Sequence, residues 1–163
     1  FYHESPLRCE EFIIRKVTLG IANILSGKQD KITMGNIDSE RDWGHAYDYV
    51  GAMKLMLEHD YPDDYVIATG ETYKIRKFIE LAFEVAGINI EWSGTGLDEK
   101  GINVKNGKVL IDINPKFFRP TEVDVLIGDS SKAEQVLNWK RKYTFEDLIV
   151  EMVESDIKKV HKN

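Results

Sequence analysis

Helical and strand-like apolar patterns alternate along this chain, and the alternation predicts an α/β architecture. Three observations carry the expectation. Ile13, Val17, Ile21 and Ile24 recur at helical spacing, and Tyr65-Val66-Ile67-Ala68-Thr69 is a compact, largely apolar run of strand length. Between two further β-type runs lies Asn106-Gly107, the strongest short hairpin signal, because both turn positions then take φ > 0.

Taken in order, the first helix is expected to begin near Glu10 and stop at Gly27, a residue that adopts the left-handed C-terminal conformation without cost. Lys31-Ile32-Thr33-Met34-Gly35 reads as a short strand. Asp48 reads as the N-cap of a second helix with Tyr49, Val50, Met53, Met56 and Leu57 on its inner face. After the run at 65–69, Ile75, Phe78, Ile79, Ala82 and Ala86 form the inner row of a third helix, stopped by Gly87. Residues 88–92 alternate as a strand. Residues 102–105 and 108–113 form the hairpin, and 93–108 is the most loop-like stretch. Ser131-x-x-Glu134 has the spacing of a capping box before a short helix ending near Asn138. Thr144 then caps a long final helix with Phe145, Leu148, Ile149, Met152 and Val160 on one side. Lys158, Lys159 and Lys162 sit at its C-terminal end, where the dipole favours cations.

Composition narrows the functions. Of 163 residues, 42% are hydrophobic and 31% charged, with 22 Lys and Arg against 28 Asp and Glu, a net charge of −6. That balance argues against a nucleic-acid partner, which demands a basic face. No run approaches the ~18 apolar residues of a membrane-spanning helix, so no membrane is expected. The single Cys9 excludes an internal disulfide and a cysteine-based zinc site, and fits a reducing cytoplasm. The four histidines lack metal-ligand spacing, so no metal is expected. The chain starts Phe1-Tyr2-His3 without an initiator Met, and the expectation is a piece of a longer protein.

Two motifs are decoys. Gly94-Thr95-Gly96 lacks the third glycine of a dinucleotide loop, Glu99 standing in its place, and a hairpin rather than a helix follows. Tyr73-x-x-x-Lys77 matches the spacing of a dehydrogenase Tyr/Lys pair but lies at a helix entrance, far from any cofactor loop.

Three segments concentrate chemistry. His3-Glu4-Ser5-Pro6-Leu7-Arg8 leaves a strand end, where open α/β sheets collect ligands. Arg41, beside Trp43 and between a strand and a helix, suits bidentate phosphate binding; the competing reading is an ion pair with Asp42 or Asp48. Arg119 and Glu122, three apart on a proline-stiffened loop, form either a clamp for a ribose and a phosphate or a loop salt bridge.

In sequence order, His-Glu-Ser-Pro-x-Arg, Arg15-Lys16, Gly-Asn-x-Asp at 35–38, Arg-Asp-Trp-Gly-His-Ala-x-Asp-Tyr-Val at 41–50, Val-Ile-Ala-Thr-Gly-Glu at 66–71 and Arg-Pro-Thr-Glu-Val-Asp at 119–124 together resemble the GDP-mannose 4,6-dehydratase family. That family lies within the extended short-chain dehydrogenase/reductase group. The resemblance covers essentially the whole chain but only the C-terminal half of the family protein. It implies the last Rossmann strands, residues 1–8 and 65–69, plus a smaller α/β substrate-binding domain, with the N-terminal NADP-binding half absent. It further implies NADP as cofactor, held in part by His3 and Arg8. GDP-mannose is the implied substrate, held by Lys16, Asn36, Arg41, Arg119 and Glu122. The implied reaction is dehydration to GDP-4-keto-6-deoxymannose by a homo-oligomer, a dimer or tetramer. No catalytic residue is expected here, because the family's acid–base groups lie upstream, and this chain alone is expected to be inactive. Tyr2, Cys9 and Ile14 depart from the family's usual Asn, Gly and Thr. The alternatives are an epimerase or reductase acting on another nucleotide sugar, and a non-catalytic nucleotide-sugar-binding module.

Overall fold

A computed structural model describes residues 3–117 and 123–162. In chain order the elements are β1 (His3–Glu4), α1 (Ile13–Leu25), β2 (Ile32–Met34), β3 (Glu40–Arg41), β4 (Gly44–His45), α2 (Ala46–Glu58), β5 (Tyr73–Lys74) and α3 (Ile75–Val85). Then follow β6 (Ile90–Ser93), β7 (Lys100–Asn103), β8 (Val109–Ile113), β9 (Val125–Leu126), α4 (Ser131–Leu137) and α5 (Phe145–His161). Among the described residues the strands form three small sheets: β1 with β4, the order β2-β8-β7-β6, and the order β5-β3-β9.

The main core follows from helical periodicity. Ile14, Val17 and Ile21 of α1 meet Phe78, Ile79, Ala82 and Phe83 of α3 and Phe145, Leu148, Ile149 and Met152 of α5, above Ile32, Met34, Leu110 and Ile111 of the four-stranded sheet. Trp43 enters this core beside Arg41, its ring parallel to that of Phe145 at 6.0 Å. A second cluster joins Tyr49 and Ala52 of α2 to Ile67, Ala133, Leu137 and Trp139.

Several expectations need correction. Helix α1 starts at Ile13 rather than near Glu10, and the chain turns at 6–7 and again at 10–11 before it. The cap of α2 is His45, whose Nδ1 accepts from the Tyr47 amide at 3.0 Å. Asp48 lies inside the first turn, buried, where its carboxylate accepts from the amides of Lys142 and Tyr143. With Asp48 turned inward, the other face of α2 is left outside: Val50 is 61% and Leu57 89% exposed.

Residues 65–69 bury Ile67 and Ala68 but make no ladder with any described strand. The hairpin loop is longer than a two-residue turn. Asn103 and Lys108 close it, and only Gly107, at φ +70°, is left-handed. The loop carries this extra length because the Asn103 and Asn106 side chains accept from the amides of Lys105 and Lys108, building Asx turns in place of a tight reversal. Strand β7 occupies part of the stretch expected to be loop.

Helix α4 is capped one residue earlier than expected, at Ser130, whose hydroxyl donates to Glu134 at 2.6 Å. It ends at left-handed Asn138 as expected. The capping box of α5 is present in full, Thr144 and Asp147 each accepting from the other's amide.

Candidate functional site

The sequence-predicted residues fall into two groups. His3 and Arg8 line a cavity of about 330 Å³ together with Tyr49, Val50 and Met53. The parallel pairing of β1 with β4 sets this cavity at the strand end, where the chain turns at Pro6. Burial and the nearby Arg8 cation pull the His3 imidazole below its ordinary value. The Arg8 guanidinium lies over the Phe12 ring, 3.4 Å from its centroid, and its Nε sits 3.6 Å from Glu4 Oε2. Among the described residues, the buried His3 Nδ1 and Arg8 Nε have no hydrogen-bond partner. Orphaned polar groups on a cavity wall are costly unless a ligand satisfies them, so this wall fits a polar or anionic group.

The loop behind the cavity is held by a residue that sequence reasoning passed over. Arg15 is buried and donates to the backbone oxygens of Pro6 and Arg8, while its Nη2 pairs with Asp156 of α5 at 2.8 Å. Thr18 donates to the other Asp156 oxygen at 2.7 Å. A signal existed: Arg15, Thr18 and Ala22 form an i, i+3, i+7 row along α1, beside the apolar one.

Glu4 is the second such residue. Its side chain is only 5% exposed, and burial, opposed by Arg8, pushes the carboxyl up to about 7. A carboxyl raised by folding favours the folded state most below its unfolded value, and that advantage is lost as pH rises through the folded one. Stability should therefore decline between about pH 4.5 and 7, by up to ~3 kcal/mol. Glu4→Gln should flatten that part of the curve. Thermal unfolding at pH 5 and 8 checks this, and equal pH slopes in the two proteins would refute it.

The second group surrounds the segment 118–122. Arg119 and Glu122 lie outside the described residues, but both ends of their segment are in view. At one end the Lys16 ammonium sits 4.3 Å above the Phe117 ring and donates to the Thr33 carbonyl at 2.6 Å. Burial lowers the Lys16 pKa. The Phe117 carbonyl presses against Gly35 so closely that a Cβ there would meet it at 2.4 Å, which explains glycine at this position. At the other end Arg41 Nη1 donates to the carbonyl of Val123 at 2.7 Å, and β3 pairs with β9 just beyond.

Asn36 lies between these ends. Its amide donates to Ser39 Oγ and its oxygen accepts from the Asp38 amide, so it shapes the loop 35–39 from within. Neither Asp42 nor Asp48 spends its carboxylate on Arg41. Asp42 is buried and accepts from the Thr69 amide and hydroxyl and from the amides of Gly70 and Gly128. This clamp immobilises β3, and with it the backbone that carries Arg41.

A cavity of about 580 Å³ opens elsewhere, between Thr69, Tyr73, Trp139 and Tyr143, and none of the predicted site residues among the described ones lines it. The decoy motifs are structural. Tyr73 stacks on Phe145 at 3.9 Å, and Gly94 and Gly96 take positive φ in the turn from β6 to β7.

A family model described as GDP-mannose 4,6 dehydratase matches residues 1–152. The GDP-mannose 4,6 dehydratase of Drosophila melanogaster is 51% identical over 163 residues, which is 100% of this chain and 41% of that protein. The enzyme of Sinorhizobium fredii (strain HH103) is 50% identical over 157 residues, 96% of this chain and 45% of that protein. The human protein is 46% identical over 163 residues, 100% of this chain and 44% of its own length. The chain thus spans less than half the length of these curated relatives, and the match falls on their C-terminal part.

Among solved structures, RMD from Pseudomonas aeruginosa complexed with NADPH superposes with a TM-score of 0.79 at 21% identity, over 98% of this chain and 47% of that one. The dTDP-glucose 4,6-dehydratase of Bacillus anthracis in complex with NAD gives 0.70 at 20% identity, over 96% and 42%. These likenesses establish the fold, which this chain shares with less than half of each of those proteins. The segments at 3–8, 35–38, 41–50 and 66–71 thus serve one architecture, and the chain belongs to the GDP-mannose 4,6-dehydratase family.

Proposed function

We propose that this chain is the substrate-gripping, C-terminal part of an enzyme that dehydrates GDP-mannose to GDP-4-keto-6-deoxymannose. One observation carries the reading: cations at both ends of the segment bearing Arg119 and Glu122, Lys16 against Phe117 and Arg41 against Val123. Anionic oxygens entering there meet two positive groups set by packing before the ligand arrives. In this reading Lys16, Asn36, Arg41, Arg119 and Glu122 hold GDP-mannose. His3 and Arg8 hold NADP, which supplies hydride chemistry when bound. The buried His3 Nδ1 and Arg8 Nε, which lack a hydrogen-bond partner among the described residues, favour that role. The acid–base groups belong to an N-terminal half. The apolar face of α2, with Val50, Met53 and Leu57, and the unladdered run at 65–69 are where that half would pack. The full protein is a homo-oligomer of the cytoplasm.

Arg41 supplies the test. A guanidinium holds two phosphate oxygens through parallel charge-assisted bonds, which an ammonium cannot copy. Hydrogen bonds to charged groups contribute roughly 1.5–3 kcal/mol. Arg41→Ala in the full-length protein should therefore weaken GDP-mannose binding about 10- to 200-fold. Arg41→Lys should recover only part of the loss, and NADP affinity should hardly change. Calorimetric titration of both ligands decides the matter: unchanged GDP-mannose affinity would refute the assignment. Purified 1–163 should show no turnover of GDP-mannose, and formation of the 4-keto product by it would count against the division of labour.

A further inference from the structure

We infer that Arg76 is a positioning residue of the nucleotide-sugar site, acting through the loop 35–39; this rests on the reading above. Arg76 stands at the start of α3, and its side chain reaches two carboxylates from separate segments. Its Nε and Nη2 donate to the two Asp38 oxygens at 3.1 and 3.2 Å. Nη1 and Nη2 donate to the two Glu99 oxygens at 2.7 and 3.0 Å. The guanidinium lies 4.7 Å from the Trp92 ring centroid, and Trp92 is itself fixed by its indole N–H donating to Glu80 at 2.8 Å.

The loop is also pinned by backbone bonds at the same place. The Arg76 amide donates to the Ile37 carbonyl at 2.8 Å and the Ile75 amide to the Ser39 carbonyl at 3.1 Å. The loop so held contains Asn36, begins at Gly35 against Phe117, and runs directly into Glu40–Arg41. Both ends of the segment 118–122 therefore depend on where this loop sits.

The geometry is hard to substitute. Two bidentate carboxylates need the planar fork of a guanidinium, and one ammonium cannot span both while stacking on an indole. Glu99 is largely buried and ties the turn before β7 to the loop, so the clamp bridges three segments. Asp38 is half exposed, so its bond to Arg76 contributes little to global stability. Its consequence is local: it restricts the loop that presents Asn36 and precedes Arg41.

The test uses the full-length protein with three variants, Arg76→Lys, Arg76→Gln and Asp38→Asn, and titrates GDP-mannose and NADP separately. Loosening a binding loop by a fraction of an ångström lowers affinity without unfolding it. GDP-mannose affinity should fall about tenfold in Arg76→Gln and by a smaller factor in Asp38→Asn. Arg76→Lys should fail to rescue. NADP affinity should stay near wild type in all three variants, and so should the melting temperature of Asp38→Asn, while the Arg76 variants melt somewhat earlier because Glu99 loses its counter-charge. Arg141→Lys, at the bidentate pair with Glu71 away from this loop, is the control and should leave GDP-mannose affinity unchanged. If Arg76→Gln does not fold, Arg76→Lys and Asp38→Asn carry the test. Folded variants that bind GDP-mannose like wild type, or lose both ligands in step with stability, would overturn the inference. Wild-type protein without affinity for GDP-mannose would overturn the nucleotide-sugar reading itself, and this inference with it.

Discussion

Asp42→Ala should cost about 4–6 kcal/mol of folding stability, a large share of the 5–15 kcal/mol that holds a typical domain together. The carboxylate accepts four bonds, from the Thr69 amide at 2.8 Å, the Thr69 hydroxyl at 2.6 Å and the amides of Gly70 and Gly128 at 3.0 and 3.2 Å. Removing it takes the acceptor from three backbone donors in a partly buried place, each costing roughly 1–3 kcal/mol. Asp42→Asn keeps the shape but turns an amide donor toward one pair of donors, so about 2 kcal/mol should be lost. Asp124→Ala on the exposed approach to β9 is the control and should stay within about 0.5 kcal/mol. Urea denaturation followed by circular dichroism measures all three. A loss below about 1 kcal/mol for Asp42→Ala would show that the four bonds are not the structural junction described here.

Asp156→Ala should be nearly as damaging, about 3–5 kcal/mol, because it leaves the Arg15 guanidinium buried without its counter-charge. Thr18 loses its carboxylate acceptor at the same time and keeps only the longer bond to the Arg15 carbonyl. The informative partner is the double variant Arg15→Met, Asp156→Leu. Hydrophobic replacement of a buried pair is often neutral or stabilising, so the double variant should regain most of the lost stability. It should still disturb the 3–8 segment, because Arg15 also holds the carbonyls of Pro6 and Arg8. The expected pattern is restored melting temperature with weakened NADP binding in the full-length protein. A double variant as unstable as Asp156→Ala would show that packing between α1 and α5, rather than the uncompensated charge, sets the cost.

Much of the fold was legible because helices advertise themselves locally. Ile14, Val17 and Ile21, then Phe78, Ile79 and Ala82, then Leu148, Ile149 and Met152 point to a core face by spacing alone. Gly27 and Gly87, at φ +73° and +75°, end α1 and α3 where the sequence places the stops. The box of Thr144 and Asp147 likewise needs only neighbours three residues apart. Helix α2 was misread for the opposite reason. Its apolar row at Val50, Met53 and Leu57 has the right spacing, but its buried side is chosen by Tyr49 and Ala52 packing on the distant Ile67 and Trp139.

The sequence by itself determined the α/β class, the presence of all five helices and, through strings such as Arg-Asp-Trp-Gly-His, the family. Only the tertiary structure decided which polar residues are buried and what they join. Asp42 meets residues 69, 70 and 128, Asp48 meets 142 and 143, Arg15 meets 156, and Arg76 meets both 38 and 99. None of these partners lies within a helical turn of the other in sequence, so no local period announces them. A carboxylate's sequence neighbours say little about its role. The long-range segments that desolvate it and bring donors to its oxygens decide whether it is a solvated charge or a structural junction.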